Sequence, residues 1–465
     1  MAGFTHMPDE ILEQIFTHVS DIAHSSLSNI ALTNKRLSRI VCPLQVRRWS
    51  NCYDFDDLPL ARLALHLLRH PELRTRVRSL KFGYLEVAAS DDPPEDLRAE
   101  NLEALSRAAK EAVPVLAEST DLCEQICQGW EEAIAVLVLS WTTKLTQLYL
   151  FIPYLDPTYG LNEYYLILRF INQAVVQLRT GTTNIQPLPL GELTHLSIPS
   201  DDLGSSNEVE YLTPLFYLPK LNHLAAERIV DTRYDLDDEE EQDLPSLQQK
   251  YLMPWPTGTS TIESIDLPKM AVSTNGLSKM VRACRSLKAL KLDVLYDLGE
   301  INFSRKAFAQ IILHHATSLE ELDITSDGYD LDGFDEQSLD EGIALEDCYR
   351  RLTSLKTLGI DMVELFAVPR SEDTTKMITT SRLPDCIRRL KLYCQCFNIR
   401  WERNCQKAPD LSESIATLVG ETGPHGRLSN LKSITIYPFL TVALWTEDIY
   451  RTVALAKARG IELSL

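Results

Sequence analysis

The sequence predicts an α/β protein: a small three-helix module at the N-terminus, then a stack of parallel strands with helices on the outside. Three observations predict it. A six-residue phrase, apolar-x-x-apolar-x-apolar, returns again and again from residue 145 onward. Runs with helical spacing stand between successive copies. The first 50 residues contain none of this and instead carry three short amphipathic patterns. At 465 residues the chain is also too long for one core, since single cores stop growing at roughly 250–300 residues. A small domain joined to a repeat array satisfies both the length and the pattern.

The N-terminal module opens with Met7-Pro8-Asp9-Glu10-Ile11-Leu12. Pro8 has no N–H to lose and its fixed φ suits a first helical turn. Asp9 and Glu10 put negative charge at the positive end of the helix dipole. Ile11, Leu12, Ile15, Phe16 and Val19 then form an apolar stripe. A second pattern runs through Leu27, Ile30, Ala31 and Leu32, entered from Ser25-Ser26. A third runs through Leu37, Ile40, Val41 and Leu44, with Thr33 or Asn34 as its entry cap.

The order of these residues resembles an F-box, of the kind that heads many fungal proteins. The resemblance rests on Met7-Pro8-Asp9-Glu10-Ile11-Leu12, on Ala31-Leu32-Thr33-Asn34, and on Leu37 with Val41-Cys42-Pro43-Leu44 and Arg47-Arg48-Trp49 behind it. It covers residues 1–50. It departs from the family in the third helix, where Asn34-Lys35-Arg36-Leu37 stands in place of a Trp-bearing stretch and Trp49 lies downstream. What it implies is a substrate-recognition subunit of an SCF-type cullin ubiquitin ligase. The F-box would bind the adaptor subunit, and through it the cullin, while the rest of the chain holds a protein target. The implied adaptor face includes Pro8, Ile11, Leu12, Ile15, Val19, Leu27, Leu32, Leu37 and Val41. Some of these must instead hold the helices to one another. The alternative is a non-enzymatic repeat scaffold whose N-terminal helices only cap the strands; a cap would bury Leu12 and Ile15, an unaccompanied F-box would expose apolar surface.

Residues 51–140 read as a helical linker and cap. Leu60, Leu63, Ala64, Leu67 and Leu68 make one amphipathic helix, stopped by Pro71. Val77 to Phe82 alternates as a half-buried strand does. Residues 95–140 are helix-rich, and Ile134 to Leu139 is apolar on all sides, as in a buried helix.

The repeat phrase begins at Leu145, Leu193, Leu221, Ile262, Leu287, Leu319, Leu355, Ile387 and Leu431. Helical runs at Leu161–Leu178, Gly276–Ala283, Lys306–His314, Leu345–Leu352 and Leu411–Val419 intervene. The phrase resembles the strand signature of leucine-rich repeats, whose apolar positions point into the core while the residues flanking the middle one face outward. From Ile262 the steps are 25, 32, 36, 32 and 44 residues. They mostly exceed that family's ~20–29, so the array over 141–465 is irregular. Outward residues line the side expected to hold a target: Tyr149, His195, His223, Lys291, Glu321, Asp323, Arg389 and Lys391 among them. The acidic rung Glu321/Asp323 lies between Lys291 and Arg389/Lys391. That pattern suits either cross-strand charge pairing or a mixed-charge recognition patch.

Two acidic inserts punctuate the array. Residues 231–243 carry eight acids and one Arg, and residues 327–347 carry nine acids and no base. Both read as solvated loops, with a surface for a basic partner as the functional alternative. Asp330, Asp332 and Glu341 match part of a calcium loop, but Phe334 and Asp335 stand where it needs a ligand and a Gly. The formal net charge of −20 argues against general nucleic-acid or anionic-membrane binding. No membrane span and no signal peptide are expected. Ten scattered cysteines read as reduced thiols of a cytoplasmic or nuclear protein. The cluster Cys386, Cys394, Cys396 and Cys405 lacks zinc-site spacing. His66/His70 read as surface residues, and of His314/His315 one is expected out and one in. No catalytic constellation, metal site or cofactor motif is present, so the chain is not expected to be an enzyme.

Overall fold

The computed structural model describes residues 6–23, 25–51, 59–83, 85, 98–151, 166–181, 188–200, 207–231, 253–295, 305–327, 346–361, 382–393, 411–423, 425–437 and 448–464. The chain divides into two compact units, one built on Met1–Ser205 and Tyr211–Leu224, the other on Ser206–Glu210, Ala225–Gln242 and Pro254–Leu465.

The first unit begins with α1 (Asp9–Ile22), α2 (Ser26–Ala31) and α3 (Lys35–Gln45). Asn34 caps α3, its Oδ1 accepting from the Leu37 N–H at 2.8 Å. Leu12, Phe16, Leu27, Val41 and Leu44 form the module's own core. Arg36 and Arg39 both reach Asp9, at 2.7 and 2.5 Å, and tie α3 to the start of α1. Arg36 is the main cause that holds the Asp9 carboxyl below its usual range.

After α3 the chain enters β1 (Arg48–Ser50), then α4 (Pro59–Arg69), a 3-10 turn (Pro71–Arg76) and β2 (Ser79–Phe82). Helices α5 (Ala99–Ala112), α6 (Pro114–Ser119), α7 (Leu122–Cys127) and α8 (Glu131–Trp141) follow. Every residue from Ala133 to Leu139 has no exposed surface, the all-round burial that an all-round apolar helix demands. Then come β3 (Gln147–Leu150), α9 (Leu166–Thr180) and β4 (His195–Ile198). Strands β1 to β4 pair in parallel in chain order. Repeat strands therefore reach back to Arg48, ahead of the boundary expected at residue 141, and Trp49 lies in a strand rather than in helical surroundings.

The second unit holds β5 (Asn207–Glu208), which pairs with β7 (Ile229–Val230); between them in sequence lies β6 (His223–Ala226), whose first two residues belong to the first unit. Then follow β8 (Ser264–Met270), α10 (Thr274–Ala283), β9 (Ala289–Leu295), α11 (Arg305–Ile312), β10 (Glu321–Asp327), α12 (Glu346–Arg351), β11 (Thr357–Asp361), β12 (Arg389–Tyr393), α13 (Leu411–Gly420), β13 (Ser433–Tyr437), α14 (Asp448–Ala458) and β14 (Glu462–Ser464). From β8 to β14 each strand pairs in parallel with the next. This is an α/β protein in which β3, β4, β6 and β8 to β13 each carry one repeat phrase, an arrangement consistent with leucine-rich repeats. Within each strand the middle apolar residue is buried and its two neighbours face outward; Leu148, Leu196, Leu290, Leu322, Leu358, Leu390 and Ile434 all lie inside.

One device sets the register throughout. The carbonyl of the second residue in a phrase accepts two N–H groups from the next phrase. Arg47 binds Arg78 and Ser79, Arg78 binds Thr146 and Gln147, and Thr146 binds Thr194 and His195. Glu263, Lys288, Glu320, Lys356 and Arg388 do the same in the second unit, at 2.7–3.2 Å. The pinning is local to each pair of strands, so the number of residues between phrases is free to vary. That explains steps as unequal as 25 and 44 residues.

The acidic inserts are mostly outside the described residues, as are Asp330, Asp332, Glu341, Cys394, Cys396 and Cys405. Their described edges are not solvated loop: Glu346 and Asp347 open α12. Asp231 accepts the Ser273 N–H at 2.7 Å and the Ser273 hydroxyl, fixing the start of α10, while Asp327 closes β10. His66 and His70 are exposed and His315 is buried with His314 outside. His315 accepts the Leu287 N–H at 3.3 Å through Nδ1 and lies 2.9 Å from the Val281 carbonyl through Nε2.

Candidate protein-interaction surfaces

The N-terminal module separates its apolar residues sharply. Leu12, Leu27 and Val41 are completely buried among themselves and Phe16. A partner has no access to them, which corrects their assignment to an adaptor face; adjacent positions of one stripe look alike in sequence, and only three-helix packing decides which is innermost. Ile15, Val19 and Leu37 are partly buried against the same core. Pro8 is exposed. Ile11 is 43% exposed, Ile22 74% and Leu32 85%. Ile11, Ile15 and Ile22 share a stripe of α1 at spacings of four and seven. These large aliphatic side chains stay open on a module that has already closed a core.

The outward face of the second unit is a closed polar network. Asp323 on β10 is only 7% exposed. Lys391 Nζ, on β12, lies 2.6 Å from its Oδ2, and the Tyr393 hydroxyl donates to its Oδ1 at 2.8 Å. β12 is not the neighbour of β10, because β11 lies between them. The crossing is open because the intervening outward position is Gly359, where a Cβ would overlap the Asp323 carboxylate. Glu321 sits 3.5 Å from Lys291 and 3.8 Å from Lys391. Arg389 donates to Thr357 Oγ1 at 3.1 Å. Burial works against the Lys391 ammonium, but the Asp323 and Glu321 carboxylates outweigh it and its pKa rises. Burial, and then the Asp323 charge, push the Tyr393 phenol upward. Tyr393 also stacks on Tyr437, ring centroids 5.0 Å apart. Of the two sequence-level readings of these charges, cross-strand pairing is the one that the geometry displays.

The outward face of the first unit is built differently. Lys81 Nζ stands 5.9 Å from the Tyr149 ring centroid. The His195 and His223 rings lie 5.6 Å apart, tilted by 44°. Thr194 Oγ1 sits 2.9 Å from His195 Nδ1. At the start of these strands Lys220 binds Glu192 at 2.6 Å. That hydrogen bond is the leading cause of the low Glu192 pKa, with Lys144 and Arg78 adding to it. Arg78 is itself shifted downward, first by burial and then by the like charges of Arg47 and Arg76. The strand positions set His195 beside His223, while Tyr149 lies opposite Ser197. Lys81 and Arg78 were missed, although Val77-Arg78-Ser79-Leu80-Lys81-Phe82 fits the repeat phrase. In the second unit Tyr393 was missed, and so was the part that the outward Thr357 and Gly359 play in the network; a Gly at an outward position between an acidic and a basic rung was the available signal.

Among the described residues no group of three or more His, Cys, Asp or Glu is placed to hold a metal, and no helix is long and apolar enough to cross a membrane. Cys284 and Cys348 are buried free thiols, each pushed up to about 12 by desolvation.

No family model and no curated protein matches this chain. Among solved structures, a leucine-rich-repeat protein of Leptospira interrogans aligns over 93% of this chain and 92% of its own, at 11% identity and a TM-score of 0.28. So low a TM-score leaves the repeat reading resting on the strand pairing itself.

Proposed function

We propose that this protein is the target-recognition subunit of an SCF-type cullin ubiquitin ligase, bound to the adaptor subunit through α1–α3 and to a protein target through the outward strand faces. It makes and breaks no bonds itself and works in the cytoplasm or nucleus. The observation that carries this reading is the exposure of Ile11, Ile22 and Leu32 on a module whose core is already complete. The F-box resemblance of the same residues supplies the kind of partner. Apolar anchors of this type often contribute about 2 kcal/mol or more each to an interface.

A second reading has its own support: Leu12 is fully buried and Ile15 partly so, the outcome set out above for a cap. β1 follows α3 directly, Ser79 N–H bonds the Arg47 carbonyl, and Arg76 pairs with Glu13 at 2.8 Å. The helices therefore border the first strand, as the cap of a plain interaction scaffold would. Co-purification of the whole chain with the adaptor subunit separates the two. Ile11→Asp combined with Leu32→Asp is expected to abolish capture without loss of helix content, because both side chains are outside. Leu12→Asp is the folding control, expected to unfold the module. Absence of capture by the unaltered chain, or capture indifferent to the exposed-residue pair, leaves the scaffold reading standing.

A further inference from the structure

The outward positions of β1 to β4, together with His223 and Ala225, include no Asp or Glu, in a chain whose net charge is −20. Arg48, Lys81, His195 and His223 occupy four of them. At the start of the same strands Lys220 pairs with Glu192 at 2.6 Å, and the charges of Lys144 and Arg78 act on the same carboxylate. Burial, and then the like charges of Arg47 and Arg76, work against the Arg78 guanidinium, and Glu192 works for it; Arg76 already holds Glu13 at 2.8 Å, so an arriving carboxylate acts on Arg78, Lys144 and Lys220. Screening over a length of about 8 Å at physiological salt lets this local excess act on its own surroundings despite acids elsewhere in the chain.

The shape of the face narrows the ligand. Adjacent strands lie roughly 4.8 Å apart, so a chain laid across them meets a new outward side chain at each step. Lys81 and His195 are exposed, and Tyr149 offers a ring already engaged with a cation. We propose that this face receives an extended acidic segment of a partner protein, its carboxylates held by Lys81 and by the Arg78–Lys144–Lys220 edge. The inference rests on the reading of the strand faces as the target-holding part and does not depend on the adaptor. Nucleic acid is the competing occupant, disfavoured because the basic area is local and the chain as a whole is strongly acidic.

The test is fluorescence anisotropy of the full-length protein with a labelled oligoglutamate of about ten residues, beside oligolysine of the same length and a single-stranded DNA of about 20 nucleotides. Oligoglutamate is expected to bind saturably and the other two to bind less tightly. Lys81→Glu with Lys220→Glu is expected to weaken it at least about tenfold, and Lys81→Gln with Lys220→Gln by a smaller factor. Lys432→Glu, in the other unit, is expected to leave it unchanged, with folding of each variant checked by circular dichroism. No saturable binding, binding indifferent to Lys81→Glu with Lys220→Glu, or tighter binding of DNA overturns the proposal. Adaptor capture by the Lys81→Glu, Lys220→Glu protein keeps the two readings separate. Its persistence beside lost glutamate binding is expected, and failure of capture in the unaltered chain does not touch this face.

Discussion

The two outward strand faces use charge in opposite ways. In the second unit acidic and basic rungs bind each other, down to a lysine that crosses an intervening strand to reach Asp323. In the first unit the strand positions carry cations and imidazoles with no acid among them. Paired charge contributes stability and leaves little for a visitor; a surplus of one sign costs repulsion and leaves a great deal. Fold and backbone pinning are common to both, so the difference lies in a few side chains.

The comparison breaks most violently at Gly359. Gly359→Leu drives a side chain into the Asp323 carboxylate, and urea unfolding is expected to show a loss of about 3 kcal/mol or more. Removal of one partner comes next. Lys391→Met leaves Asp323 with Tyr393 alone, at an expected cost of about 2 kcal/mol. A cycle with Asp323→Asn is expected to return a coupling of about 1 kcal/mol or more; additive effects would mean that the network is only geometric.

A smaller effect tests the first unit through pH. Glu132 on α8 accepts the Ile167 N–H at 3.1 Å at the start of α9, and desolvation pushes its carboxyl up to about 7. A raised carboxyl favours the protonated folded state. Its contribution is therefore greatest below the unfolded value of 4.5 and is lost as pH rises through 7. Unfolding followed from about pH 5 to pH 8 should show a fall of roughly 2 kcal/mol that Glu132→Gln removes; an unchanged slope would clear Glu132 of the effect. His315 runs the other way, since burial lowers its pKa and stability drains as pH falls below 6.5. At the bottom of the scale, Lys288→Ala breaks a half-exposed pair with Glu263 at 2.7 Å and is expected to cost under about 0.5 kcal/mol.

Much of the fold was legible because the phrase has a period that only a half-buried strand satisfies. β2 was legible as a strand but not as part of the array, because four helices separate it from the next phrase. β1 was not legible at all: Arg48-Trp49-Ser50 is too short to show alternation. The surface was harder. Ile11 and Leu12 are neighbours of equal hydrophobicity, yet one is 43% exposed and the other fully buried, a decision made by α2 and α3. The Lys391–Asp323 contact skips a strand, so reading neighbouring rungs against each other overlooks it.

The paired N–H groups on each second-position carbonyl carry a mechanical implication. Through the backbone each strand is fastened only to the one before it and the one after it, with Lys391 and Tyr393 tying β12 across to β10 as well. Load applied at the β14 end therefore meets one small set of hydrogen bonds at a time until it reaches β12. Within the second unit, tension from that end should release β14 first, then β13, then β12, with small force steps ahead of β12 in place of one large rupture.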